Sequence, residues 1–149
     1  MKKLYIISLL VLIGTIAKSQ TVHDLKNQIR SQNWSLKAGV KFNEKNFDEI
    51  YPIYTLEIKK HNGKPFQLKG YLIPVDKTKK HSRFLLSALP LNQCNFCGKD
   101  GIPLLVLVTI NSPIDFSLKP ISISGTLNLQ NGNVLDGMPI VLSNSKLTQ

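Results

Sequence analysis

Phe66-Gln67-Leu68-Lys69-Gly70-Tyr71-Leu72-Ile73-Pro74 decides the fold. Phe66 and Leu68 alternate with Gln67 and Lys69, the period-two mark of a strand buried on one face. At Gly70-Tyr71 the alternation gives way to a continuous apolar stretch, Tyr71, Leu72, Ile73 and Val75. A glycine where the phase slips predicts a β-bulge and a sharp bend. A long strand bent midway can serve both sides of a small closed barrel, so the segment predicts an OB-like fold.

The flanking sequence supplies the other strands. Tyr54, Leu56 and Ile58 alternate with Thr55, Glu57 and Lys59, and Asn62-Gly63 follows as a type I′ hairpin pair. Downstream, Phe84 to Leu89 is an apolar run stopped by Pro90, and Leu104 to Ile110 is another, bounded by Pro103 and Asn111-Ser112-Pro113. Ile121, Ile123, Gly125, Leu127 and Leu129 alternate with Ser122, Ser124, Thr126 and Asn128. Asn131-Gly132 turns the chain towards a sixth strand at Ile140 to Leu142. No helix-length pattern separates these strands. The expected fold is mainly β, a small antiparallel OB-like barrel, with a β-sandwich as the alternative.

Ahead of the strands, Thr21 and Asp24 have the spacing of a helix cap, and Val22, Leu25 and Ile29 recur near helical period. A short N-terminal helix is expected over 22–32. Trp34, Leu36, Val40 and Phe42 read as an extended lead-in, with Trp34 plugging the core.

The first nineteen residues read as an address. Met1-Lys2-Lys3 is basic, Leu4 to Ile16 is almost unbroken apolar, and Ala17-Lys18-Ser19 supplies the small residues of a cleavage site before Gln20. The apolar run is shorter than the roughly 20 residues a membrane span needs. Cleavage near Ser19/Gln20 predicts an exported protein, periplasmic or extracellular, whose single domain is 20–149. It also removes Lys2, Lys3 and Lys18, so the formal charge of +10 falls to about +7. The remaining basicity suits a solvated surface, an anionic membrane or an acidic polysaccharide. Nucleic acid is not an expected partner, because export removes the chain from it and no stacking aromatics cluster. No second apolar stretch approaches the length of an integral membrane segment.

Chemistry concentrates in Pro90-Leu-Asn-Gln-Cys94-Asn-Phe-Cys97-Gly98-Lys-Asp100-Gly101, which holds both cysteines of the chain. Two thiolates three residues apart can grip one metal ion, and a glycine after the second lets the backbone fold back on the sulfurs. This is half of a zinc site. Candidate completing ligands are His81, Asp100, His61 and His23, or a second molecule. A structural Cys94–Cys97 disulfide uses the same atoms in an oxidising compartment. A thiol-disulfide oxidoreductase does too, but Gly98, Gly101 and Pro103 argue against the following helix that would activate its thiol. His23 and His61 read as solvent-facing, and His81 ends the basic run Lys77-Thr-Lys79-Lys80-His81. Ser87 and Ser112 lack the glycine-flanked elbow of a hydrolase, and no glycine loop cradles phosphate. Catalytic residues and cofactor-binding residues are therefore not assigned.

Together, Trp34-Ser-Leu-Lys-Ala-Gly-Val-Lys-Phe42, Tyr51-Pro52, Gly63-Lys-Pro-Phe-Gln-Leu-Lys-Gly70-Tyr71-Leu-Ile-Pro74, Phe84-Leu-Leu-Ser87-Ala-Leu-Pro90 and Cys94-Asn-Phe-Cys97-Gly98 form an ordered series. It resembles a family of small exported bacterial proteins carried as a domain of unknown function, whose related members look like accessory proteins of zinc-regulated transport loci. The Gly-Tyr-x-Ile-Pro and Cys-x-x-Cys-Gly elements are its most specific parts. The resemblance implies zinc handling beside a metal-transport system, through Cys94 and Cys97, and brings no established catalytic activity with it. Where the family's cysteine loop runs through a glycine-rich turn into Pro-Glu-Ser, this chain reads Lys99-Asp100-Gly101-Ile102-Pro103-Leu104, leaving Asp100 as the nearest carboxylate.

Overall fold

A computed structural model describes residues 27–90 and 105–148. In chain order the elements are α1 (Gln32–Ala38), β1 (Lys41–Asn46), β2 (Glu49–Ile53), α2 (Leu56–Lys59), β3 (Pro65–Pro74), β4 (Lys80–Ser87), β5 (Leu105–Asp115), β6 (Ile121–Leu129) and β7 (Ile140–Thr148). The last five close into a barrel in the order β3-β4-β5-β7-β6. Counted from β3, that is strand order 1-2-3-5-4, closing from 4 back to 1, the connectivity of an OB barrel. All neighbouring barrel strands are antiparallel except β5 and β7, which pair parallel through Leu107↔Val141 and Val108↔Leu142. That one parallel pair follows from the same connectivity, which sets the third barrel strand beside the fifth.

β3 does serve two partners. Pro65–Gly70 pairs with β6, and Tyr71–Pro74 pairs with β4. The expected bulge at Gly70 is absent: the two ladders meet between Gly70 and Tyr71 with no register shift in either, and Phe66, Leu68, Gly70 and Leu72 keep one inward phase. Gly70 is needed for proximity instead. A Cβ there would stand 2.7 Å from both Leu86 Cγ and the Ser87 carbonyl oxygen. The bend falls in β7, where Asn144 takes φ 48° and the register against β6 shifts between Ser124 and Thr126. Gly125 lies beneath this bulge, where a Cβ would collide with Ser145 Oγ and approach the Ser143 carbonyl oxygen to 2.7 Å.

Inward side chains of all five strands fill the barrel. Phe84, Leu86, Val106, Val108, Ile123, Leu127 and Leu142 are wholly buried. Each large side chain contributes about 1.5–3 kcal/mol of transfer free energy.

The segment before β3 departs from expectation. Residues 28–31 are not helical, residues 22–26 lie outside the described ones, and α1 begins at Gln32. Ser31 is its cap, its Oγ accepting from Trp34 N at 3.2 Å. The expected strand from Tyr54 is instead α2, capped by Thr55. Tyr54 and Ile58, four residues apart, are buried while Leu56 is 73% exposed, which is helical and not strand phase. Asn62-Gly63 makes no I′ hairpin: only Gly63 takes a positive φ, and the pair closes α2 before the ladder to β6 begins at Gly63 N to Leu127 O, 2.7 Å. β1 and β2 form a separate antiparallel ribbon.

The strand directions give the barrel two unlike ends. Connections 88–104 and 130–139 leave by one, and 75–79 and 116–120 by the other. Among the described residues no helix is long and apolar enough to cross a membrane.

Candidate functional site

Cys94, Cys97 and Asp100 lie outside the described residues, in the connection from β4 to β5. The frame that carries them is well defined. β4 ends at Ser87, paired with Leu105 at the start of β5, so both ends of the connection are held side by side. Ser87 Oγ accepts from Leu89 N at 3.0 Å, turning the chain off the strand, and Ala88 and Leu89 are buried. Ile29 N donates to the Ala88 carbonyl at 2.8 Å, tying the N-terminal segment to the same corner.

This end of the barrel is closed. Ile58 of α2 is 1% exposed. The Tyr54 hydroxyl is aimed at two carbonyl oxygens, Pro139 at 2.7 Å and Gln130, and its one proton serves either in turn. Burial pushes the Tyr54 phenol up to about 12, against the smaller opposing pull of the Gln130 hydrogen bond. On the flank, β4 pairs only with the second half of β3, leaving carbonyls of the first half free to accept from α1. Trp34 Nε1 donates to Lys69 O at 2.8 Å and Asn33 Nδ2 to Gln67 O at 2.7 Å. Trp34 is 2% exposed and is a core plug, as its surroundings in the sequence suggest.

His81 stands elsewhere. It is the second residue of β4, next to connection 75–79 and six residues before Ser87, a rise of roughly 20 Å along the strand. Its ring is buried, and Nδ1 lies 3.5 Å from Asp76 Oδ1 with no hydrogen-bond partner. Asp76 also accepts from Thr78 N at 3.1 Å and Thr78 Oγ1 at 2.5 Å. The Thr78 hydrogen bonds, with a smaller electrostatic contribution from His81, hold its carboxyl below the usual carboxylate range. The structure thus brings His81 to Asp76, at the far end of β4 from where the cysteine connection departs. His61 is half-buried and packs edge-to-face on Phe66, ring centroids 5.4 Å apart. His23 lies outside the described residues.

Among the described residues no three His, Cys, Asp or Glu side chains converge as a metal site would require. A cleft of about 280 Å³ opens beside α2, lined by Tyr54, Lys59, Asn62, Leu129 and Asn131. These residues include no carboxylate, thiol or imidazole, so they supply neither the usual ligands of zinc nor a general base at neutral pH. Two fasteners had no local sequence signal: Tyr54, and Asn133, whose Oδ1 accepts from Ile50 N at 3.1 Å and whose Nδ2 donates to Asp48 O. Their partners lie 76 to 85 residues away, beyond any sequence window.

No family model, curated protein or solved structure matches the chain.

Proposed function

We propose that the protein is an exported accessory module of metal handling that holds a zinc ion through Cys94 and Cys97. The observation that supports this most is a disparity among the barrel's connections. Those at 75–79 and 116–120 span five residues each, whereas 88–104 spans seventeen and carries both cysteines. Binding residues lie disproportionately on the connections that a rigid scaffold positions.

Two thiolates leave a tetrahedral ion two positions short. Asp100 is the nearest donor in sequence, and a second molecule supplies the rest. A partly open shell suits an ion that is passed on, because ligand exchange needs a vacant or weakly held position. The partner in this reading is a metal-transport system in the compartment to which the chain is exported.

Zinc content of the exported protein, purified reduced and without oxygen, tests the reading. The expected result is about one zinc per chain, lost in Cys94→Ser and Cys97→Ser. Protein without zinc and without free thiol would instead establish the Cys94–Cys97 disulfide, and the module would be a scaffold.

A further inference from the structure

We propose that the barrel end formed by connections 75–79 and 116–120 docks on an anionic lipid bilayer. Lys80 pairs with Asp115, so the two connections emerge next to one another from adjacent strands. Val75 is 47% exposed, Phe116 43% and Leu118 82%. Single exposed apolar residues are ordinary on any surface, but three on two adjoining connections are a patch. Lys77, Lys79 and Lys119 are exposed on the same connections. Lys80 and Lys146 add to them from the strand ends, against Asp76 and Asp115.

Apolar tips among lysines match the layering of a membrane interface. Leucine and phenylalanine enter the acyl boundary while lysines meet anionic headgroups. An acidic polysaccharide would engage the lysines and leave Leu118 without a role. The tip is also preformed. Ser117 Oγ accepts from Lys119 N and is within donating distance of Lys119 O, both at 3.1 Å, in a turn that carries Leu118. Asp76, on the same connection as Lys77 and Lys79, is occupied by Thr78 and turned towards His81. Docked this way, the barrel end from which the cysteine connection departs lies away from the bilayer. The inference stands on described side chains and does not depend on zinc.

Vesicle sedimentation tests it, with neutral phosphatidylcholine compared with a mixture containing about 30 mol % phosphatidylglycerol. The chains compared share one N-terminus, so the apolar run Leu4 to Ile16 is common to all. Wild type is expected to favour the anionic vesicles. Leu118→Ser, or Phe116→Ser as a second apolar variant, should weaken that binding about tenfold. Lys77→Glu with Lys119→Glu should remove the preference for anionic over neutral lipid. Unchanged partitioning in these variants overturns the proposal. So does binding to heparin, without vesicle binding, that the lysine changes abolish and Leu118→Ser leaves intact.

Discussion

The two ends of the barrel are built from different materials. At the cysteine end, Ile58, Tyr54 and Leu89 are buried, and backbone carbonyls of Gln130 and Pro139 are met by a phenol. At the lysine end, Leu118 and Phe116 face outward and the hydrogen bonds are short-range turns such as Asp76–Thr78 and Ser117–Lys119. The difference separates two jobs. Side chains at the first end and along the α1 flank hold the barrel together and fix the frame of the cysteine connection. Exposed side chains at the second, such as Leu118 and Lys119, can change surface chemistry with little structural consequence.

The largest expected effect breaks the closed side. Trp34→Ala removes a buried indole and its bond to Lys69 O, and should destabilise by about 3–5 kcal/mol in denaturant titration. A loss below 1 kcal/mol would mean that α1 does not seal the split between β3 and β4.

An intermediate effect is expected at Tyr54. Tyr54→Phe removes the phenol donor from the Gln130 carbonyl, while the Pro139 carbonyl keeps Gln130 N at 2.8 Å, and should cost about 1–2 kcal/mol. The folded-state value of about 12 exceeds the ordinary 10.0, so the folded protein keeps this proton longer than the unfolded chain does. Its contribution is therefore complete below pH 10 and is lost as pH climbs from 10 towards about 12. Stability measured across that window should fall more steeply in wild type than in Tyr54→Phe.

The smallest effect sharpens the contrast. Leu118→Ser should shift stability by no more than about 0.5 kcal/mol, since the side chain is already in water. A larger loss in thermal melting would assign Leu118 to the fold and not to the surface.

Much of the barrel is legible because its strands read as alternating or short apolar runs, punctuated by Pro90 and Asn131-Gly132. Ile121–Leu129 has the boundaries its alternation suggests. Legibility failed where local pattern and global pairing diverge. Tyr54, Leu56 and Ile58 satisfy strand spacing, yet positions 54 and 58 also share a helix face, and Thr55 supplies the cap that decides between them. β1 and β2 escaped notice because a mostly exposed ribbon carries no buried periodicity. β5 runs on past Asn111-Ser112-Pro113 to Asp115 through a bulge opposite His81–Arg83. In the candidate site, the cysteine pair was visible as spacing. The distance from His81 to the cysteine connection was not, because strand direction and register set it.

The central claim is that the cysteine connection holds zinc. Zinc-edge X-ray absorption of the reduced protein tests it most directly, because the method reads the ion's neighbours. The account predicts two sulfur ligands at about 2.3 Å, with oxygen or nitrogen completing the shell at about 2.0–2.2 Å. A shell of oxygen and nitrogen alone, unchanged in Cys94→Ser, would contradict it.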